Sequence, residues 1–150
     1  MTATNLSEIE AAAVDSPSPW ARGHIAQYLA SDGAEVDHPS ADRLILLYTK
    51  GRKSGSLRRL PVVFFPAGED MLVVASKGGA PKHPEWYKNL VADSRVWVRF
   101  KKDFFPAMAT TLTPDERAVE WPKITEMSPA FADYQAKVDR VIPVVKLTRL

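Results

Sequence analysis

The sequence predicts an α+β domain, a small six-stranded antiparallel barrel or roll with helices on its periphery. Apolar runs of strand length come in neighbouring pairs joined by short turns, and alternating βαβ units are missing. The 12 prolines outnumber the 7 glycines, so the elements must be short and separated by stiff turns. A chain of 150 residues that is 45% hydrophobic and 25% charged has the size and composition of an ordinary globular domain. It divides at about residue 30 into an N-terminal helical segment, 1–30, and a barrel domain, 31–150.

Ser7-Glu8-Ile9-Glu10 has capping-box spacing, and a first helix is expected to continue through Ala11 to Val14 until Ser16-Pro17-Ser18-Pro19 breaks it. A second helix runs from Trp20 to about Ala30, with Trp20, Ile25, Tyr28 and Leu29 as an imperfect apolar face, and Asp32-Gly33 ends it. Residues 31–42 read as a loop. Leu44-Ile45-Leu46-Leu47-Tyr48-Thr49 is a buried strand, stopped by Gly51-Arg52-Lys53-Ser54-Gly55. Runs 59–65 and 71–75 pair as a hairpin through Pro66-Ala67-Gly68-Glu69-Asp70. After Ser76-Lys77-Gly78-Gly79-Ala80-Pro81, residues 84–92 form a short helix with proline in its first turn. Runs 96–100 and 107–112 make another hairpin through Lys101-Lys102-Asp103. Thr113-Pro114-Asp115-Glu116 starts a helix to about Met127, because a Thr cap, an early proline and two first-turn acids agree. Ser128-Pro129-Ala130 restarts a helix to about Val138, and residues 142–147 supply the last strand.

Composition excludes several classes of function. With no cysteine there is no disulfide framework, thiolate metal site or thiol nucleophile, which fits a reducing cytoplasm. No apolar run approaches the about 20 residues of a membrane span, and the acidic start of the chain is unlike a secretory signal. His24, His38 and His83 are isolated, so no helical metal pair forms and no metal site is expected. Glu69-Asp70 and Asp115-Glu116 have ordinary places in a hairpin turn and a helix first turn. Charge is the informative signal: residues 43–102 carry 13 Lys or Arg against four acids. From Arg43 through Gly68 there is no acid, while Arg43, Lys50, Arg52, Lys53, Arg58 and Arg59 accumulate, a density that attracts a polyanion. Residues 50–59 interleave no aromatic side chain with these cations, which argues against a nucleic-acid partner.

Gly51-Arg52-Lys53-Ser54-Gly55 misses a phosphate-binding P-loop, which needs Gly directly before Lys and a helix after it. It also misses the nucleophile elbow, where Ser takes the third position between two glycines. A basic turn remains, with backbone amides open to a ligand or simply to solvent. Ser76-Lys77-Gly78-Gly79 is a second such turn at a strand end. Together the two would converge, with Arg58 and Arg59 between them, on one mouth of a barrel. Trp86 and Asn89 are three apart and share a helix face, where a Trp beside an amide can flank a flat polar ring or simply pack in the core.

Taken in order, Gly51-Arg52-Lys53-Ser54-Gly55, Arg58, Pro61, Ala75-Ser76-Lys77-Gly78-Gly79, Pro84, Trp86-Tyr87, Asn89-Leu90, Asp133-Tyr134-Gln135 and Asp139-Arg140 closely resemble the deazaflavin-dependent nitroreductase family. The likeness runs from about Leu44 to Ile142-Pro143 and implies a split β-barrel that binds the 8-hydroxy-5-deazaflavin coenzyme F420. It implies that Arg52, Lys53, Ser54 and Arg58 hold the phosphate and the acidic oligoglutamate tail, which accounts for the acid-free stretch. It further implies that Pro61 and Ala75 belong to the coenzyme site. Ser76, Lys77, Gly78 and Gly79 would meet the phospholactyl linker and the deazaflavin edge, while Trp86 and Asn89 help enclose the coenzyme. Three positions depart from the pattern. Leu60 stands where better-studied relatives carry Asn, and Ser128 and Phe131 stand where a relative known for nitroimidazole reduction carries Tyr; Tyr134 is retained.

The expected activity is hydride transfer from the reduced coenzyme to a small electrophile, a quinone or nitro compound, with a quinone favoured. Here the cofactor carries the chemistry and the protein supplies position, water exclusion and charge complementarity. Ser76 and Tyr134 are the candidate hydrogen-bonding residues, and Ser128, Phe131 and Tyr134 the candidate substrate contacts. The alternatives are a split barrel that binds FMN or haem, and a non-enzymatic F420 or polyanion binder. A cytoplasmic location is expected, with peripheral membrane contact by the N-terminal segment left open.

Overall fold

The computed structural model describes residues 12–15, 19–38 and 40–150, so most of the helix expected after Ser7 lies outside the described residues. Strand β1 (Val14–Asp15) precedes helix α1 (Pro19–Ser31). Then follow a 3-10 turn (Ala41–Arg43), β2 (Leu44–Lys50), β3 (Leu57–Ala67) and β4 (Asp70–Val74). A second 3-10 turn (Lys77–Gly79) leads to α2 (Glu85–Ala92), β5 (Arg95–Phe100) and β6 (Asp103–Thr111). Helices α3 (Pro114–Met127) and α4 (Ala130–Ala136) and strand β7 (Val144–Arg149) complete the chain.

Six strands close into an antiparallel barrel in the order β3-β2-β5-β6-β7-β4, with β4 returning to β3. Strand β3 makes closure possible because it is long enough to serve two neighbours. Leu57 to Val63 pair with β2 on one edge, and Phe64 to Ala67 pair with β4 on the other. On that second edge β1 runs parallel to Arg58 and Arg59. Residues 60–63 therefore have no strand partner there among the described residues, and the expected six-stranded α+β split barrel gains a short seventh strand beside the gap.

The core explains why β2 reads as an unbroken apolar run: both its faces are covered. Ile45 and Leu47 point into the barrel with Val73, Val96, Val98, Phe105, Ala107 and Val145. Leu44, Leu46 and Tyr48 point outward beneath α1, whose Ala21, Ile25 and Tyr28 form the buried stripe at i, i+4 and i+7. Helices α3 and α4 cover the other outer face, where Ile124 and Phe131 meet Phe65, Leu72 and Val144. Helix α2 closes one end of the barrel by packing Leu90, Trp86 and Tyr87 against the interior cluster.

Local signals behave as chemistry requires at the start of α3. Thr113 Oγ1 accepts from Glu116 N–H at 3.2 Å, and Glu116 Oε1 accepts from Thr113 N–H at 2.9 Å, completing a capping box ahead of Pro114. Other expectations need correction. Val14 is a strand residue, not helical, because its backbone pairs with β3. The hairpin turns are tighter than expected, two residues each (68–69 and 101–102), so Pro66, Ala67 and residues 104–106 lie within strands. Pro106 is tolerated because its carbonyl, and hence its missing N–H, faces the edge where β7 runs out and only Leu150 N–H reaches it at 3.1 Å.

Candidate functional site

The two cationic turns lie at one end of the barrel. Strands β2 and β4 both run antiparallel to β3, so they end on the same side, and each is followed by one of the turns. The 51–55 turn is closed by Gly51 N–H to the Ser56 carbonyl and Gly55 N–H to the Gly51 carbonyl, both at 2.8 Å. A Cβ on Gly51 would lie 2.6 Å from Ser54 Oγ, so glycine is required for the Ser54 side chain to fold inward. There Ser54 Oγ accepts the Ser56 N–H at 3.2 Å. Lys53 is left exposed at the tip.

Helix α2 fixes this turn to the barrel. Asn89 is 5% exposed, and burial at that depth demands partners for its amide. Its Oδ1 accepts from the Arg52 backbone N–H at 3.2 Å and from Arg52 Nη1 at 2.9 Å, and its Nδ2 donates to buried Thr49 Oγ1 at 3.3 Å. The other arm of the guanidinium, Nη2, donates to Glu85 Oε2 at 2.7 Å. That hydrogen bond holds the Glu85 carboxyl below the usual carboxylate range, with the charges of Arg52, Lys88 and Lys53 adding to it. Arg52 is thus held in place by two side chains from one turn of α2.

The second turn carries backbone in an unusual shape. Lys77, Gly78 and Gly79 have φ of 48°, 62° and 81° in succession. Its own hydrogen bonds run from Gly79 N–H to the Ser76 carbonyl at 3.0 Å and from Ala80 N–H to the Lys77 carbonyl at 3.1 Å. A Cβ on Gly79 would stand 3.1 Å from Tyr134 Cα, so a glycine there lets α4 seat against the turn.

Between the turns lies a cavity of about 500 Å³, lined on its apolar side by Trp20, Leu60, Pro61, Pro84 and Trp86 and carrying Arg58, Arg59 and Lys77. It adjoins a cavity of about 350 Å³ lined by Gly51, Arg52, Lys53 and Ser54. Arg58, Glu85 and Asn89 line both. The result is an apolar slot with an aromatic wall, opening onto a cationic trough. Among its cations, Arg59 is paired with Asp15 of β1 at 2.5 Å.

Of the residues singled out in the sequence, Arg52, Lys53, Ser54, Arg58, Pro61, Lys77, Trp86 and Asn89 line one or both cavities. Ala75 and Ser76 are buried behind the second turn, at 0% and 7% exposure. Gly78 and Gly79 shape that turn without lining either cavity. Ser128 caps α3, Phe131 packs edge-on to Phe65 and Tyr134 at 5.9 Å each, and none of these C-terminal residues lines either cavity. They meet the site through the Gly79–Tyr134 contact. Sequence reasoning missed Trp20 as a cavity residue; it is 55% exposed, lines the slot, and its indole packs tilted against His24 at 4.4 Å. It also missed Glu85 as a partner of Arg52, a pairing visible only in space.

A split barrel whose aromatic-walled apolar slot opens onto a cationic trough defines the class as a barrel with room for an anionic ligand that has an apolar part. Comparison with known proteins narrows it: residues 20–149 match the F420H(2)-dependent quinone reductase family, and the chain belongs to that family. An F420H(2)-dependent quinone reductase of Mycobacterium tuberculosis (strain ATCC 25618 / H37Rv) is 35% identical over 133 residues, 85% of this chain and 89% of that one. A solved F420-H2 dependent reductase, FDR-A, is 39% identical with a TM-score of 0.64, covering 70% of this chain and 93% of its own. A second solved chain, described as a domain-swapped dimer, is 36% identical with a TM-score of 0.66 and covers 88% and 99%. The protein is an oxidoreductase of this family, with coenzyme F420 as its cofactor and a quinone as its class of acceptor. No described helix is long and apolar enough to cross a membrane.

Proposed function

We propose that coenzyme F420 lies along the joined cavities, its deazaflavin ring in the apolar slot and its phosphate and glutamate tail over the trough. One observation carries this: the slot walled by Trp20 and Trp86 opens through Arg58 directly onto Arg52, Lys53 and Ser54. A planar apolar ring and a polyanionic tail on one molecule need those two environments side by side. Among the described residues no histidine lines either cavity, so the arrangement favours this coenzyme over haem.

In this reading the bound coenzyme supplies a hydride, and with one proton that hydride converts a quinone to a hydroquinone. The protein's own work is positional. Asn89 and Glu85 hold Arg52 toward the tail, and Arg58 and Lys77 bring charge to the linker. Leu60, Pro61 and the two tryptophans exclude water from the ring. Ser76 begins the second turn and Tyr134 packs against Gly79 within it, and the hydroxyl of either would stabilise an acceptor oxygen as negative charge develops on it. Ser128 and Phe131 shape the acceptor side: relative to a Tyr at each position, Ser128 removes a ring, and Phe131 keeps the ring face but removes a hydroxyl. A flat quinone stacks on the ring system and needs one hydrogen bond, whereas a bicyclic nitroimidazole needs the missing aromatic contacts, each worth about 0.5–1.5 kcal/mol.

Steady-state oxidation of the reduced coenzyme with menadione and with a bicyclic nitroimidazole tests the reading. Turnover with menadione at least tenfold faster is expected. Faster turnover of the nitroimidazole would refute the assignment of Ser128 and Phe131 as the residues that set the preference.

A further inference from the structure

Arg140 stands between α4 and β7 and uses its guanidinium on one stretch of backbone. Nε donates to the Ala80 carbonyl at 2.9 Å, Nη1 to the Ala75 carbonyl at 3.2 Å and Nη2 to the Ser76 carbonyl at 2.8 Å. Nη1 also lies 2.9 Å from His83 Nδ1. A guanidinium cannot accept a hydrogen bond, so His83 Nδ1 is the acceptor and the ring is neutral with its proton on Nε2. Among the described residues no carboxylate pairs with Arg140; its charge is met by carbonyl dipoles.

The three clamped carbonyls bracket the 76–80 turn, where Lys77, Gly78 and Gly79 follow one another at positive φ. A left-handed lysine is a costly conformation that persists only where its surroundings over-determine it. Because a trans peptide points its carbonyl and the following N–H in opposite directions, carbonyls of Ala75 and Ser76 turned toward Arg140 aim the Ser76 and Lys77 N–H groups away from it. Lys77 itself lines the apolar slot. The clamp is on one side of the turn and the cavity residue is held on it.

We propose that Arg140 is a positioning residue, holding the 76–80 turn in the shape that delivers Lys77 to the coenzyme cavity. The proposal rests on reading that cavity as the coenzyme site. The planar fork of arginine reaches three carbonyls at once, and a lysine ammonium at the same position would not. His83 contributes as a neutral acceptor, faced by Arg140, by Lys88 from α2 and by the Tyr87 ring at 4.9 Å.

Amide hydrogen exchange on the coenzyme-free protein, compared for wild type and Arg140→Lys, reads the clamp without any bound group. Exchange at Gly79 and Ala80, whose N–H groups close the turn, is expected to accelerate at least tenfold, with the amides of β2 unchanged. Coenzyme titration of wild type, Arg140→Lys, Lys77→Ala and the double variant then reads the consequence. About tenfold weaker binding is expected for Arg140→Lys, and little further loss when Lys77→Ala is added, because both act through one side chain. Unchanged exchange at Gly79 and Ala80, or losses that multiply in the double variant, would overturn the proposal. Should Arg140→Lys fail to melt cooperatively, Arg140→Gln, which keeps two donors and no charge, replaces it with the same expectations. A wild-type protein that binds no coenzyme would overturn the reading of the cavity, while exchange in the free protein still decides whether Arg140 holds the turn.

Discussion

Asn89 Oδ1 is shared by the backbone N–H and the Nη1 of Arg52, at 3.2 and 2.9 Å, so one buried amide sets both where the basic turn sits and where its arginine points. Replacing Asn89 with alanine leaves buried Thr49 without its 3.3 Å partner and leaves Arg52 held by Glu85 alone. A loss of about 1–3 kcal/mol in unfolding free energy is expected from the stranded polar groups, together with several-fold weaker coenzyme binding. Urea denaturation and coenzyme titration check the two effects. Binding unchanged in a destabilised but folded variant would mean that Arg52 finds its place without help.

Lys53 is exposed at the tip of a turn built by backbone hydrogen bonds and Ser54, so its side chain carries no part of the fold. Lys53→Glu is therefore expected to keep the wild-type melting temperature and to lose affinity for the coenzyme through charge reversal in the trough. The wild-type affinity should itself fall as salt rises, since partly exposed cations are screened over about 10 Å at 0.1 M ionic strength. A melting temperature lowered by several degrees in this variant would assign Lys53 a structural role instead.

The two neighbouring glycines of the second turn make opposite demands. At Gly78 an added Cβ meets nothing within 4 Å, so Gly78→Ala costs only the left-handed backbone, about 1–2 kcal/mol. At Gly79 the same methyl also meets Tyr134 Cα at 3.1 Å, which is backbone and cannot swing aside. Gly79→Ala is expected to be the more destabilising of the pair and the one that disturbs turnover, because it pushes α4 and Tyr134 away from the turn. Equal unfolding free energies for the two variants would contradict this.

Much of the fold was legible because its signals are local. The buried β2 run, the capping box at Thr113 and the basic turn at 51–55 each announce themselves within a few residues. A barrel and the hairpin of β3 with β4 were legible, but the pairing of β4 with β7 and the gap on β3 were not, since strands distant in sequence leave no local record of their contact. Val14–Asp15 is two residues long, too short for any period to emerge, and its pairing with Arg58 and Arg59 is visible only in space. Within the site, the cations and Trp86 were legible from charge and motif order. Trp20 was not, because it sits on a helix whose apolar face is already irregular, and Arg140 was legible as part of a motif but not in its contact, which reaches 65 residues back along the chain to Ala75.

Burial is the first cause that holds the His83 pKa below the ordinary histidine value, followed by the positive charges of Arg140 and Lys88. Burial also lowers His38, with His24 adding to it. In the unfolded chain both titrate near about 6.5. Below that pH the unfolded chain binds more protons than the folded one, so stability rises with pH through this window. The contribution is complete above about pH 6.5 and is lost as pH falls through the lowered folded values. The melting temperature should therefore drop between pH 7.5 and 5.5, and His83→Gln should flatten part of that slope. A melting temperature that rises over the same acidification would show that the two histidines gain protons on folding.

The central claim is that the joined cavities recognise a planar deazaflavin carrying a polyanionic tail. Its most direct test is a binding titration of the wild-type protein with coenzyme F420, with the same coenzyme lacking its glutamate tail, and with FMN, each at low and high ionic strength. Saturable binding of F420 that weakens on tail removal and on raising the salt, with FMN bound at least tenfold more weakly, is the predicted result. Tight FMN binding with no response to F420, or F420 affinity indifferent to both salt and tail, would contradict it.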